Sequence, residues 1–111
     1  MNTGFIEDKE IIWEQAAKGI RRKIITYDTS MMLVKVDFEQ GAVGAVHHHV
    51  HVQMTHIESG VFEVEISGRK KILKAGDAFH IPSNAEHGVV CLEKGVFIEV
   101  FSPMREDFVK K

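Results

Sequence analysis

The sequence predicts one all-β domain, either a sandwich or a barrel, and three observations support this prediction. Apolar and polar residues alternate with a period of two in several short segments, as in strands with one buried face. Seven glycines between Gly41 and Gly95 separate those segments at short intervals. Helical periodicity is nearly absent, which argues against alternating strands and helices. With 111 residues, the chain has room for one domain, 1–111, and we expect its core barrel at about residues 22–101.

The predicted strands follow one another along the chain. Alternation first occurs over residues 32–38, where Met32 and every second residue after it are apolar. Residues 62–66 and 69–74 flank Ser67-Gly68, which predicts a hairpin with a two-residue turn. A further strand is expected over residues 96–101.

Helical segments are expected at the two ends of the chain. One short helical turn is predicted from Ile11, Ile12, Trp13 and Ala16, and another over residues 104–109. Neither is long enough to form a separate layer of the fold.

The strand at residues 96–101 is apolar on both faces. One face has Val96, Ile98 and Val100, while the other has Phe97 and Phe101 on either side of Glu99. A strand in a small isolated barrel should have one solvated face, so the second apolar face indicates contact with another subunit. Met31 and Leu33 support the same interpretation, and we expect a homodimer. The alternative is that a few apolar residues are simply exposed, which is common.

Composition excludes several classes of function. The net charge is −2, which is too near neutral to suggest a nucleic-acid partner or an acidic membrane surface. Cys91 is the single cysteine, so no internal disulfide can form. Residues 1–10 lack the basic start and apolar stretch of a secretory signal, and no apolar run approaches the roughly 20 residues that span a bilayer. We therefore expect a cytoplasmic protein that does not bind membranes.

The histidines indicate where the chemistry lies. Five of the seven occur within ten positions, at 47, 48, 49, 51 and 56. On a strand, His47 and His49 would point to the same side about 6.6 Å apart, close enough to share a metal ion. Gln53 would lie about 20 Å from His47 on a continuous strand. It can join the site only if the chain turns back near residues 50–52.

His87 follows the turn signal Pro82-Ser83-Asn84, and its ring could reach the site from another strand. Three imidazoles and a carboxamide oxygen suit one divalent ion, namely zinc, nickel, manganese or iron. Because all four ligands would be neutral, the ion would keep its charge and attract anionic, oxygen-rich ligands.

The other histidines are interpreted separately. His48 should point away from the metal, and His51 is expected beside the site or on the surface. His56 and His80 have no partner spacing and are interpreted as structural or as lining a cavity.

These residues resemble the two cupin motifs. The first motif is matched by Gly41, five residues, His47-His48-His49, then Gln53, six residues and Gly60. The second motif is matched by Gly76, five residues, Pro82-Ser83-Asn84, two residues and His87, with Asn84 in place of glycine. Gln53 stands where many cupins have glutamate. The resemblance implies a double-stranded β-helix, or jelly roll.

Further segments are similar to the KdgF-type pectin-degradation cupins, and the similarity covers about residues 11–108. They are Trp13-Glu14, Gly19-Ile20-Arg21-Arg22-Lys23, Met31-Met32, residues 41–46 and residues 101–108. That family converts 4,5-unsaturated monouronates, released by pectin and alginate lyases, into linear 4-deoxy-5-ketouronates, usually as a homodimer. The resemblance thus implies a small sugar-acid substrate.

The resemblance also implies roles for individual residues. The family's metal ligands correspond to His47, His49, Gln53 and His87. Its catalytic residues correspond to Glu99, Phe101 and Arg105, with Glu99 standing where the family commonly has aspartate. An acid on an apolar strand is suited to a raised pKa and proton transfer, and a guanidinium suits a carboxylate. Alternatively, Glu99 merely pairs with Arg105, and Phe101 is part of the core.

Other functions remain open from the sequence. They are a metal-dependent dioxygenase or sugar isomerase, a non-catalytic sugar-acid-binding cupin, and a metal-holding or structural barrel. Cupin folds support many activities, so the site must decide between them.

Overall fold

Antiparallel strands form most of the computed structural model, which describes residues 4–110 and confirms the predicted all-β class. The strands in this part of the chain are β1 (Glu14–Ala17), β2 (Ile20–Tyr27), β3 (Met32–Phe38), β4 (Val43–His47), β5 (Val52–Ile66), β6 (Arg69–Lys74), β7 (Ala78–Ile81) and β8 (His87–Ser102). A 3₁₀ helix (Asp8–Glu10) precedes them, and α1 (Glu106–Val109) follows them. None of the helices within residues 4–110 has the length and hydropathy needed to cross a bilayer.

The long strands β5 and β8 belong to both faces of the barrel. Residues 95–101 of β8 pair with β3, and residues 87–90 pair with β4. In the same way, β5 pairs with β7 through its first half and with β6 through its second half. One face of the barrel therefore contains β1-β2-β3-β8-β5-β7, and the opposite face contains β4-β8-β5-β6.

Two glycines allow β5 and β8 to cross closely where they pass from one face to the other. Gly60 has a φ of 86°, and a Cβ added to it would lie 2.5 Å from the Cα of Gly95. Real Cβ atoms do not approach another atom this closely, so both positions need residues without a side chain.

The core lies between the two faces and is rich in phenylalanine. The rings of Phe38, Phe62 and Phe97 are mutually in contact, with centroids 4.9 to 5.3 Å apart. Alternation along β8 points Phe97, Glu99 and Phe101 into the barrel, as the sequence pattern predicts. Glu99 is thus placed among apolar side chains.

The predicted hairpin is confirmed. β5 pairs with β6 from Ile66 and Arg69 outwards, which leaves Ser67 and Gly68 as the two-residue turn. Their φ angles of 50° and 80° are both positive, as a type I′ turn requires.

The N-terminal prediction is wrong, whereas the C-terminal one is confirmed by α1. No helix includes Ile11, Ile12, Trp13 or Ala16, since the last of these lies in β1. β1 pairs with β2, and Trp13 packs against the cationic ends of Arg21 and Lys23, at 4.2 and 4.7 Å from the ring centroid. These tertiary contacts outweigh a weak local helical preference.

Candidate metal centre and active site

Three histidines converge at one end of the barrel. His47, the last residue of β4, pairs in register with His87, the first residue of β8. One nitrogen from each of these rings and from His49 lie within 4.8 Å of one another. β4 ends at His47, so His49 reaches the cluster from the following loop rather than from the same strand, as the i, i+2 argument assumed.

The turn before His87 is attached directly to the segment that carries His49. The Asn84 backbone N–H donates to the His49 carbonyl at 2.8 Å, and the Ser83 hydroxyl donates to the Val50 carbonyl at 2.6 Å. Asn84 has a φ of 64°, a conformation that asparagine adopts more readily than most residues. The chain also turns back before β5, as the participation of Gln53 requires.

The main chain determines which ring nitrogen of each histidine faces the cluster. Each Nδ1 is hydrogen-bonded to a backbone carbonyl, which assigns the proton to Nδ1 and leaves the Nε2 lone pair available. The bonds run from His47 to Ala45 (2.8 Å), from His49 to His51 (2.9 Å) and from His87 to Ala85 (2.9 Å). Burial lowers the pKa of His49 and lowers that of His87 to about 4. Both rings are therefore neutral near pH 7, as metal ligands must be.

Gln53 has the orientation of a fourth ligand. Its amide nitrogen donates to Thr55 at 3.1 Å and to Glu99 at 2.8 Å, so its oxygen points towards His49. That oxygen lies 3.2 Å from the His49 Nε2. Because the His49 proton is on Nδ1, two lone pairs face each other there, an arrangement that a cation between them would stabilise. The three histidines and Gln53 therefore fit a divalent cation.

Glu99 is the buried acid of the site. Its side chain is 8% exposed, and its Oε1 accepts the hydrogen bond from Gln53. Burial raises the pKa of this carboxyl to about 7, although the charges of Arg105 and Arg22 act in the opposite direction. Such a group exchanges a proton readily at neutral pH. Gln53 thus links the acid to the histidine cluster.

A cavity of about 230 Å³ connects these groups. Most of its wall is apolar and comes from the inward faces of both sides of the barrel. The charged and polar side chains on its lining are Arg22, His47, Gln53, His87, Glu99 and Arg105. A small ligand with an anionic group and several oxygens would match this combination.

Arg105 and Phe101 also line the cavity. The sequence left open that Arg105 merely pairs with Glu99 and that Phe101 is only part of the core. Arg105 forms two hydrogen bonds with Asp107, from Nε at 3.0 Å and from Nη2 at 2.8 Å. It does not pair with Glu99. Phe101 is 1% exposed, and its ring lies between those of His49 and Phe108, at 5.7 and 5.6 Å. Phe101 therefore packs against His49 of the histidine cluster as well as against the core.

Comparison with known proteins identifies the family. The family model for the cupin domain matches residues 34–101. The pectin degradation protein KdgF of Dickeya dadantii (strain 3937) is 49% identical over 111 residues, which cover 98% of this chain and 100% of that protein. The chain is a KdgF-type member of the cupin family.

Solved structures agree with this assignment. The structure of KdgF from Halomonas sp. superposes on this KdgF-type cupin with a TM-score of 0.91 and 40% identity, covering 96% of this chain and 99% of the other. An RmlC-like cupin from Shewanella frigidimarina superposes with a TM-score of 0.93 and 37% identity, covering 96% of both chains.

The remaining histidines of this KdgF-type cupin lie outside the cluster formed by His47, His49 and His87. His48 is exposed, as predicted, and His51 packs beside His49 and Phe101 with its Nδ1 buried. His56 and His80 are exposed on the outer faces of β5 and β7. They border a surface groove and not the central cavity.

Two charged residues of the site are missing from the sequence-based prediction. Asp107, which holds Arg105, lies in a short terminal segment with no periodicity to place it. Arg22 could have been found, because Ile20 and Ile24 flank it with a period of two. That pattern places a charged residue on the apolar, inward face of a strand.

Proposed function

We propose that this KdgF-type cupin is a metal-dependent enzyme that converts 4,5-unsaturated monouronates into linear 4-deoxy-5-ketouronates. The central observation is the buried Glu99 carboxyl, joined through Gln53 to the three-histidine cluster beside an apolar cavity. The 49% identical relative is named for pectin degradation, which supports substrates released by pectin lyases. Alginate lyases would supply unsaturated uronates of the same class.

In this proposal His47, His49, Gln53 and His87 hold one divalent ion. Zinc, nickel, manganese and iron all accept such nitrogen and oxygen ligands. When bound, the ion supplies Lewis acidity that polarises an oxygen of the substrate. The backbone carbonyls behind the three rings keep each Nε2 directed at that position.

Glu99 is proposed as the proton donor. In ketonisation the bond between the anomeric carbon and the ring oxygen breaks, the ring oxygen becomes the ketone oxygen, a vinyl carbon gains one proton and the anomeric hydroxyl loses one. With a pKa of about 7, Glu99 is substantially protonated at neutral pH, unlike an ordinary glutamate. Gln53 positions the carboxyl by donating to Oε1. The surrounding apolar wall keeps competing water away from the acid.

Phe101 and Arg105 complete the proposed catalytic group. Phe101 forms an apolar wall against which a sugar ring can pack. Arg105 is held by Asp107, and its Cζ lies 4.3 Å from the Phe108 centroid, so its position is fixed before substrate binds. We propose that it contributes positive charge beside the reacting group.

Proton NMR of a freshly prepared unsaturated uronate tests the reaction. With metal-loaded protein, the vinyl proton signal should disappear faster than it does spontaneously, and signals of the ketonised product should replace it. A matched pair of variants ties this to the site. His49→Ala should lose the acceleration, whereas His48→Ala, which alters an exposed neighbour, should retain it. No acceleration by the metal-loaded, unaltered protein would contradict the proposed function.

We also propose that the protein is a cytoplasmic homodimer. Val96, Ile98 and Val100 are half-buried on the outer face of β8, and Met54 beside them is 57% exposed. This apolar face supports contact with a second copy. Light scattering should give twice the chain mass for the unaltered protein and one chain mass for Ile98→Asp. A monomeric unaltered protein would contradict the proposed dimer.

A further inference from the structure

We propose that Arg22 binds the carboxylate of the substrate and gives the site its preference for acidic over neutral sugars. This inference rests on the function proposed above. Guanidinium chemistry alone would allow either Arg22 or Arg105 to bind the carboxylate, and we assign this role to Arg22. Three features of Arg22 support it, namely its position, its fixed orientation and the contrast with Arg105.

Arg22 points into the cavity from β2. It is in register with Val36 of β3, which pairs in turn with Phe97 of β8, and all three have inward-facing side chains. Its side chain is 20% exposed, so the charge lies largely within the wall. Glu14, 2.8 Å from Nε, compensates this charge at one atom of the guanidinium.

The guanidinium of Arg22 is held in one orientation. Its Cζ lies 3.7 Å from the centroid of the Phe108 ring, and its Nε donates to Glu14 at 2.8 Å. A guanidinium has five N–H donors in a planar fork, so a bond from Nε is compatible with a second carboxylate at the opposite edge. Stacking on Phe108 restricts the plane in which such a carboxylate can bind.

The guanidinium of Arg105 already forms two hydrogen bonds with a carboxylate of the protein. Asp107 occupies both its Nε and its Nη2, which is already the paired, two-bond mode of carboxylate recognition. Both guanidiniums therefore have an acidic partner, but Glu14 accepts from Arg22 only at Nε. Of these two guanidiniums, Arg22 is the better placed to take a carboxylate from a ligand.

Arg22 and Glu99 reach the same cavity from two strands that are not adjacent in the sheet. β3 lies between β2 and β8, so their backbones are two strand spacings apart, roughly 10 Å. Both side chains project into the same cavity. A monouronate with its carboxylate at Arg22 would therefore place its ring towards Glu99 and the histidine cluster.

Binding of two matched sugars tests this role. Metal-loaded protein is titrated with D-galacturonate and with D-galactose, which differ in the carboxylate, and NMR shift changes give the affinities. Arg22→Gln should weaken galacturonate binding at least tenfold and change galactose binding less than twofold. With the unsaturated substrate, KM should rise by a similar factor while kcat changes much less.

Arg21→Gln is the matched control. Arg21 is the neighbouring residue on the same strand, faces outward and pairs with Asp37, so this variant removes an equal charge outside the cavity. It should bind galacturonate as the unaltered protein does. Thermal melting checks folding. If Arg22→Gln does not fold, Arg22→Lys is tested instead. Its affinity for galacturonate should fall several-fold while its affinity for galactose stays the same, because an ammonium group lacks the planar fork of a guanidinium.

The outcomes separate this inference from the proposed function. Unchanged galacturonate affinity in a folded Arg22 variant would overturn the role of Arg22 and leave the proposed function standing. An unaltered protein that binds galacturonate no better than galactose would overturn this inference. The proposed function has a separate test. It would be overturned if the unaltered, metal-loaded protein did not accelerate the disappearance of the vinyl proton signal.

Discussion

At the scale of single residues, Gln53 has the central position, because the two ends of its amide face different partners. The oxygen points to His49 and the nitrogen to Glu99 and Thr55. A cation bound at the oxygen would draw electrons from the amide and strengthen the hydrogen bond that its N–H donates. Metal binding would therefore be coupled to the state of Glu99 through one side chain.

Replacing Glu99 with glutamine tests its role as the acid. The change keeps the shape of the side chain but removes the exchangeable proton, and proton transfer by a positioned group typically contributes 10²–10⁴-fold to a rate. Glu99→Gln should therefore lower kcat at least 100-fold while bound metal, measured by elemental analysis, stays at the unaltered level. An unchanged rate would remove Glu99 from the mechanism.

The same substitution tests the raised pKa of Glu99 through stability. The carboxyl titrates at about 7 in the folded protein and near 4.5 when unfolded, so the folded state holds more protons between these values. The contribution of Glu99 to the free energy of unfolding should therefore fall by about 3 kcal/mol as pH rises from 4.5 to 7. Denaturant unfolding of metal-free protein measures this as the difference between unaltered protein and Glu99→Gln. A difference that does not change with pH would contradict the raised pKa.

At the scale of elements, the crossing of β5 and β8 sets the geometry that joins the two faces of the barrel. Gly60→Ala would force a Cβ to within 2.6 Å of two backbone carbonyl oxygens, in a residue with positive φ. We expect it to lower the free energy of unfolding by roughly 3 kcal/mol. Gly76→Ala is the control, because its φ is 94° but no atom lies within 4 Å of the added Cβ. It should cost about 1 kcal/mol, and equal losses would contradict the crowding argument.

Local patterns predicted some elements well and others poorly. The β3 strand and the hairpin at Ser67-Gly68 follow from alternation and turn chemistry, which act over a few residues. The full lengths of β5 and β8 do not, because their alternation is interrupted where the strands cross near Gly60 and Gly95. The conformation of Trp13 depends on side chains of β2, so no local pattern could place it.

The convergence of the candidate metal ligands was easier to predict than the rest of the site. His47, His49, Gln53 and His87 occur at spacings that resemble a known motif, and the structure brings them together. Arg22 contacts Phe108 across the fold, and Asp107 holds Arg105 two residues away in a terminal segment without periodicity. Such contacts depend on the register of β1 and β2 and on the end of the chain, which short motifs do not encode.

At the scale of the whole molecule, metal binding should stabilise the fold, because its ligands come from separate parts of the chain. A ligand that binds only the folded state at 100 times its Kd stabilises it by about 2.7 kcal/mol. Adding nickel or zinc to chelator-treated protein should therefore raise Tm, as measured by calorimetry. His87→Ala should abolish the increase and His48→Ala should retain it. An equal increase in both variants would place the ion elsewhere.

The exposed hairpin at Ser67-Gly68 also divides the site into two incomplete halves. His47, His49 and Gln53 precede this turn, whereas His87 and Glu99 follow it. Two separately expressed pieces, cut at the turn, would each lack part of the ligand set. Recovered turnover on mixing them would report their reassembly, so this small barrel has the arrangement of a split reporter.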